Sequence, residues 1–590
     1  MIEILYKKIF KFFDKNQIPL LVFFSSLFIF ISFAGTRLFF SDEGVILDQF
    51  YNLINGSLAL KAAKIDTAKG IFITVGNNLY GKFSYSLLIL SLPTYYILKT
   101  IDYLYGAHLF MLQLWALSGG VVVYLIAKTL NLKRAAAGGA ISYFILITTN
   151  LYFFKPIYFP KWGEILSIEF TNILITSFMV VIVYLLFKDF FSYKIALFAS
   201  FFVIFATPIP FYAITLKHHS LAVFLTLLTF YFFYKYYEKK DNKFIYLAYI
   251  SAGLCIWTRF LDGAVLLASL LITDIVVFRR GIKYIRSISL IILVSLLPFF
   301  SFNYLILGNP FSIIESTPLT DKPVTLFTAK DFISLEENPA HPRQNELLDK
   351  LGYKWSGKIR GDWFEILGYS MFFKLLNTFG IFLVSPFLII ALAFIIDRVK
   401  WKNRLNVMDK FFGSYAIMLI GMYIILDIIL NVKPLISIIT DTPVVLEYRY
   451  LLILYVILLY FSLRIDKVRQ LIENNSKRIV SLYGIILLVT LIYFITGFPV
   501  PFLNIYYVVA LITSFSLLLS ITLLIMKKRS STVSLDKLLT LMIALSFALA
   551  SFLLLFYYWV VSMTYISPSQ NYNISPILEI MIKWMYQIIL

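Results

Sequence analysis

Ser84-Tyr85-Ser86-Leu87-Leu88-Ile89-Leu90-Ser91-Leu92-Pro93-Thr94-Tyr95-Tyr96-Ile97-Leu98-Lys99 is the stretch on which the topology turns. If it crosses a bilayer, seven later basic loops fall outside. If it lies at the interface, all seven fall inside. Those loops include Lys128/Lys133/Arg134, Lys235/Lys239/Lys240/Lys243, Arg279/Arg280, Arg398/Lys400, Arg464/Lys467 and Lys527/Lys528/Arg529. Short loops rich in Lys and Arg stay on the cytoplasmic side, so the agreement of seven loops decides the matter. Residues 84–99 read as a juxtamembrane helix on the outer leaflet, and their three tyrosines suit that interface.

The composition demands a membrane setting in the first place. Of 590 residues, 60% are hydrophobic and 14% charged, against about 25% charged in a soluble protein. Repeated apolar runs approach the roughly 18 residues that span a bilayer. The fold class is therefore all-α: a polytopic integral membrane protein of about 13–15 transmembrane helices, with amphipathic juxtamembrane helices in the first outer loop. The net charge of +20 resides in short loops, where it reads as topology signal and lipid-headgroup contact. Nucleic acid is not an expected partner. The single cysteine, Cys255, excludes an intramolecular disulfide and reads as a packing residue.

The first span runs from about Ile18 to Phe40, preceded by Lys7, Lys8, Lys11 and Lys15. Its Leu/Phe run is too long for a cleavable signal and reads as retained. The N-terminus is thus cytoplasmic and the first loop, 41–105, lies outside. Further spans are expected near 107–128, 135–151, 170–187, 194–211, 219–235, 244–258, 262–278, 287–306, 373–396, 411–430, 446–463, 480–498, 503–526 and 538–562. A second outer loop is expected at 155–169. A large one, about 303–372, has a polar Thr317–Gly361 section and more than 60 residues, enough to fold over the surface. Residues 1–464 are expected to carry the chemistry, and 465–590 to add C-terminal helices and an outer tail.

Candidate site residues cluster on the outer side. Asp42 and Glu43 emerge where the first span ends. One carboxylate there could take a proton from a hydroxyl while a neighbouring bond to phosphate breaks. The same Ser41-Asp42-Glu43-Gly44 run is also good helix-capping sequence. Lys82, between Tyr80 and Phe83, suits a phosphate as a point charge, or simply snorkels. Lys61, Lys64 and Lys69 read as a solvated face. Glu164 and Glu169 form a second acidic site at a span's outer boundary, with a solvated-loop reading open for Glu164. His218 and His219 are adjacent, so a two-histidine metal site is disfavoured and one of them lining a cavity is expected. Arg259 and Arg449 need partners near the membrane. Phosphate would serve, and so would Asp262 or Glu447. No Gly-rich phosphate loop or Cys/His metal cluster is present.

These pieces, in this order, resemble the GT-C superfamily of membrane glycosyltransferases. The nearest branch is the protein O-mannosyltransferase and lipid A aminoarabinose transferase group. The resemblance rests on the acid after the first span, on Tyr80-Gly81-Lys82-Phe83-Ser84-Tyr85, and on later landmarks. These are Gly253 to Arg259, Asn303-Tyr304 with Gly308-Asn309-Pro310-Phe311, Gly380 to Ser385-Pro386, and Tyr448-Arg449-Tyr450. It covers about residues 18–460.

The resemblance implies a sugar donor on a polyprenyl phosphate, used on the extracytoplasmic face with inversion at the anomeric carbon. The acceptor would be a glycan, a lipid or a protein. By position it implies Asp42 as the catalytic base, Lys82 as the phosphate contact, and Glu164 or Glu169 as the second acidic site. Glu43 as a catalytic acid beside Asp42, and Tyr80, Arg259 and Arg449 as further donor contacts, are candidates read from the residues themselves. No cofactor is expected and no metal is indicated. Gly81 departs from relatives that place an acid before the lysine. Two rival readings are a flippase for a lipid-linked saccharide and a polysaccharide polymerase or ligase. The first predicts two-fold pseudo-symmetry. The second predicts more basic residues in the large loop than His341, Arg343 and Arg360.

Overall fold

The computed structural model describes residues 16–39, 42–65, 71–277, 281–314, 317–319, 326–333, 374–375, 378–401, 405–430, 451–496, 502–526, 533–564 and 572–589. Helices dominate. Each of the fifteen expected spans contains helix among its described residues, although several are broken and the one expected from 373 opens on a short antiparallel hairpin, Lys374–Leu375 with Thr378–Phe379, its helix starting only at Ile381. The first are α1 (Gln17–Phe33), α2 (Glu43–Ile54), α3 (Ser86–Leu104), α4 (Ala107–Thr129), α5 (Ala135–Leu151) and α6 (Phe159–Phe190). Then come α7 (Tyr193–Phe205), α8 (Ile209–Ala213), α9 (His219–Lys239), α10 (Asn242–Thr258), α11 (Phe260–Leu271), α12 (Ile282–Ser295) and α13 (Leu297–Leu307).

Among the described residues, five helices are long and apolar enough to cross a membrane unaided. A sixth is counted if the pair Tyr284–Ser295 and Leu297–Leu307, bent by 42°, is one span. Three of the other expected spans are interrupted or bounded by identifiable breaks. Pro208 interrupts the segment after α7, Arg259 adopts extended backbone between α10 and α11, and a π-helical turn, Ile272–Val277, follows α11. Proline and π-turns are the usual causes of such breaks. Residues 84–99, expected as a juxtamembrane helix, fall in α3, which is 19 residues long and carries Pro93.

One boundary is corrected. Residues 155–169 were expected as a loop before a span at 170. Instead α6 begins at Phe159 with Pro160 in its first turn, a position that suits proline because the missing N–H has no helical partner there. The polar residues that lower hydropathy, Lys161 to Glu169, sit inside the helix, with Trp162, Glu164 and Glu169 buried.

Between α2 and α3 the chain forms three short strands: β1 (Ala62–Ile65), β2 (Phe72–Val75) and β3 (Asn78–Gly81). β2 and β3 make an antiparallel hairpin, Phe72 opposite Gly81 and Val75 opposite Asn78. Gly76 at its tip has φ +60°, a region that glycine enters without steric cost. β1 pairs in parallel with β4 (Phe327–Ile333), so a strand of the large loop lies directly on the first loop.

After β4 follow α14 (Ile381–Val384), a 3₁₀ turn at Pro386–Ile389, α15 (Ile390–Trp401), α16 (Val407–Leu430), α17 (Leu452–Leu463), α18 (Asp466–Ile495), α19 (Phe502–Met526), α20 (Val533–Thr564) and α21 (Pro576–Ile589).

Candidate active site

The short helix α2 organises the site. Asp42 is its N-cap and Glu43 its first residue. One turn and two turns on, Asp48, Gln49 and Asn52 form a buried polar stripe, the spacing that places side chains on one helical face. The Asp48 carboxylate accepts from the backbone N–H of Lys64 (2.7 Å) and Ile65 (3.3 Å). The Asn52 amide donates to Ala62 O and accepts from Lys61 N. Together they fix β1. The Gln49 amide donates to the carbonyls of Gly81 (3.4 Å) and Phe83 (3.0 Å), so it holds the backbone on both sides of Lys82.

Gly81 follows from that contact. A Cβ there would lie 2.5 Å from the Gln49 side chain. An acid at position 81 has no room while Gln49 occupies this place.

Lys82 lines a pocket whose other walls are largely apolar: Trp257, Phe260, Phe299, Phe302 and Ile313, with Asn303 at its edge. Ser84 Oγ donates to Trp257 O at 2.6 Å and ties the lysine loop to the end of α10. A cation on an otherwise hydrocarbon-like wall fits an amphiphile with an anionic head. Tyr80 is buried in the hairpin opposite Ile73 and is absent from that lining.

The two acids differ sharply. The Asp42 side chain keeps 16% exposure and forms an ion pair with Lys217. Glu43 is fully buried, and its two oxygens accept from Phe39 N (2.5 Å) and Leu216 N (2.9 Å). Burial pushes the Glu43 carboxyl up to about 7, with the Lys217 charge opposing.

Lys217 is 2% exposed, and its ammonium also stands over the Phe83 ring at 5.5 Å. The segment that carries it is held rigidly. The Asn172 amide of α6 donates to the carbonyls of Tyr212, Thr215 and Lys217 at 2.9–3.1 Å. The sequence candidates His218 and His219 directly follow Lys217, which was not among them. The signal that could have found it is a lysine at the end of a largely apolar stretch, Ile209 to Leu216.

The second acidic site separates into two structural roles. Glu164 pairs with Lys64 at 3.4 Å, side chains 4% and 1% exposed. Lys64 is therefore buried, which corrects its reading as part of a solvated face, and Glu164 is no solvated loop acid. Lys64 also donates to Pro160 O at 3.0 Å. Glu169 accepts from Gly35 N at 3.1 and 3.2 Å, clasping the chain just after α1. Both acids do face the bundle, as the sequence suggested.

His219 and Arg259 meet: Arg259 donates to His219 Nδ1 at 2.6 Å and pairs with Asp262 at 3.0 Å. Tyr423 joins them, donating to Asp262 at 2.8 Å. The His218 ring stacks on His219 at 5.5 Å and lies 6.4 Å from the Phe83 ring. Among the described residues, no three His, Cys, Asp or Glu side chains group as metal ligands. Arg449 lies outside the described residues.

Residues 163–304 match the family described as dolichyl-phosphate-mannose-protein mannosyltransferase. That segment includes Glu164, Lys217, His219, Arg259 and Asn303. A comparison with curated proteins finds no match. Two solved structures are similar over most of the chain. One is ArnT from Cupriavidus metallidurans in the apo state, at 12% identity and TM-score 0.41, covering 93% of this chain and 78% of that one. The other is ArnT bound to undecaprenyl phosphate, at 13% identity and TM-score 0.40, covering 93% and 76%. Scores this low leave the likeness too loose to transfer any residue. The family match over 163–304 supports a membrane glycosyltransferase, the reading to which the motif order of the sequence also points.

Proposed function

We propose that the protein transfers one sugar from a polyprenyl-phosphate donor to an acceptor hydroxyl on the extracytoplasmic face of a cell membrane. One observation carries the site assignment. A partly exposed carboxylate, Asp42, caps the same helix whose Gln49 holds the loop of Lys82 beside an apolar pocket.

In this reading the donor phosphate rests on Lys82, and its isoprenoid chain leaves along the aromatic wall of α10 and α13. The acceptor hydroxyl sits at Asp42. Its oxygen attacks the anomeric carbon from the face opposite the phosphate, so the configuration inverts. The bond from that carbon to the phosphate oxygen breaks, and its electron pair stays on the phosphate. The hydroxyl proton passes to Asp42. No redox step occurs and no cofactor enters the balance. Glu43 holds the turn through two backbone amides, and Arg259 acts within its buried network with Asp262 and His219. The acceptor is a glycan, a lipid or a protein, and the sugar a hexose or pentose. We read the basic loops as cytoplasmic, together with the N-terminus.

The test is purified protein in lipid vesicles with a panel of radiolabelled polyprenyl-phosphate sugars, wild type beside Asp42→Asn. Label transfer, or release of polyprenyl phosphate, that vanishes in the variant supports the reading. Full activity in Asp42→Asn removes Asp42 as the base. Absence of turnover while labelled lipid saccharide crosses the bilayer favours a flippase.

A further inference from the structure

The last described segment of the chain is built into the first. Tyr572 to Ser575 precede α21, and Asn573, Ile574 and Ser575 are at most 1% exposed. Asn573 forms an antiparallel bridge with Gly35. Thr36 N donates to Tyr572 O at 2.9 Å, Ile574 N to Ala34 O at 3.0 Å, and Tyr572 N to Thr36 Oγ1 at 3.0 Å. The approach is so close that a Cβ at Gly35 would lie 2.3 Å from Tyr572 O.

Side chains extend the clasp. Arg37, 7% exposed, donates to Tyr558 OH at 3.0 Å. The Tyr558 hydroxyl in turn donates to Phe33 O at 2.8 Å and lies 3.4 Å from Asn573 Oδ1. The far end is pinned as well: Ser575 Oγ donates to Asn150 Oδ1 at 2.9 Å. His108 Nδ1 accepts from Ile157 N, which leaves Nε2–H to donate to Ile574 O at 3.2 Å.

The clasped residues, 33–37, lead straight to the acid pair. Two residues later Phe39 gives its backbone N–H to Glu43, and its ring packs on Phe211 and Tyr558. A chain leaving a span toward a short helix has many conformations. Here they are removed by backbone hydrogen bonds to a segment more than 530 positions away in sequence, and by Glu169 on the other side of Gly35.

We propose that Tyr572–Ser575, with Tyr558 and Arg37, is a positioning element of the site: it sets where Asp42 stands relative to Lys82. It touches neither substrate. The proposal rests on the function proposed above, because it assigns Asp42 a task that requires exact placement. The hydrogen bonds given above tie the clasp to residues 33–37, His108 and Asn150, whereas the Lys82 loop, where the donor is proposed to bind, is held by Gln49 and by Trp257 of α10. Loss of the clasp therefore slows turnover without weakening the donor.

The test uses full-length protein in lipid, comparing wild type with Tyr558→Phe and Asn573→Ala, and with a truncation after residue 571. The point variants keep the proposal testable if the truncation does not fold. Three quantities are measured: kcat, donor affinity, and amide hydrogen exchange at residues 35–39. The expected result is exchange that rises at 35–39, kcat that falls roughly ten- to a hundredfold, and donor affinity that stays within about twofold. Released amides with unchanged kcat overturn the proposal. So does a parallel loss of kcat and donor affinity, which marks general unfolding. If wild type transfers no sugar from any donor, the functional reading fails by itself. The exchange then decides the clasp, and unchanged protection at 35–39 in both point variants overturns it.

Discussion

Two buried acid–lysine pairs hang from the same short helix region, and they are built for different work. Glu164 and Lys64 are 4% and 1% exposed, and the lysine is shared with Pro160 O and the Tyr51 ring at 5.2 Å. Every direction around that ammonium is protein, and the pair joins β1 to the start of α6. Asp42 and Lys217 pair as well, but Asp42 keeps 16% exposure and caps a helix end. One pair is closed and fastens two elements. The other leaves its carboxylate partly accessible, as the role proposed for Asp42 needs, because a base must come within hydrogen-bond reach of the proton it takes. Charge type and burial of the lysine are the same in both, so the exposure of the acid is what distinguishes the pairs and is the reason Asp42 is the one proposed as base.

The sharpest way to break this comparison is to neutralise each acid. Asp42→Asn is expected to cut sugar transfer by about a hundredfold or more, the size of a general-base contribution, with thermal stability in detergent nearly unchanged. If Glu164→Gln does the same while Asp42→Asn does not, the two roles are reversed.

Next in size is stability at the closed pair. Lys64→Met alone strands a buried carboxylate, at a cost of about 3–5 kcal/mol, seen as a lowered Tm. Lys64→Met with Glu164→Leu removes both charges and is expected to recover most of that loss. A double variant as unstable as the single one would show that the pair does more than fasten.

A smaller effect separates Asp42 from its neighbour. Burial raises the Glu43 carboxyl to about 7 in the folded protein, above its ordinary 4.5. The folded state then holds the proton more tightly than the unfolded one, so this group's contribution is full below about pH 4.5 and is lost as pH rises toward 7. Tm measured from pH 5 to pH 8 should fall less in Glu43→Gln than in wild type. Parallel curves would contradict the burial argument.

The smallest is Gly81→Ala. The added Cβ meets Gln49 at 2.5 Å, so the Lys82 loop shifts. Donor KM is expected to rise a few-fold while kcat changes little. An unchanged KM would uncouple Gln49 from Lys82.

Much of this was legible in the chain itself. The hydrophobic runs pointed to helix, and each expected span contains one, because in a bilayer each backbone polar group must be bonded within its own segment. The hairpin that opens the span expected from 373 had no such signal. The acids of the first loop and Lys82 were named from residue type and place alone. Burial and partnership escaped the sequence, since both depend on contacts across the fold. Lys64 looked solvated because Lys61, Asp66 and Lys69 stand near it along the chain, yet Glu164 and Pro160 enclose it from 100 and 96 positions away. Glu164 and Glu169 looked like loop because acids depress local hydropathy, although each has a buried partner that lets it stay within α6. The clasp of Tyr572–Ser575 on Gly35 had no local signature at all, since backbone-to-backbone bonds are blind to side-chain identity. Sequence determined which segments are helical and apolar and which residue types are available for chemistry. Tertiary structure alone decided which carboxylate keeps its solvent and which is sealed, because that depends on what packs against it from distant parts of the chain.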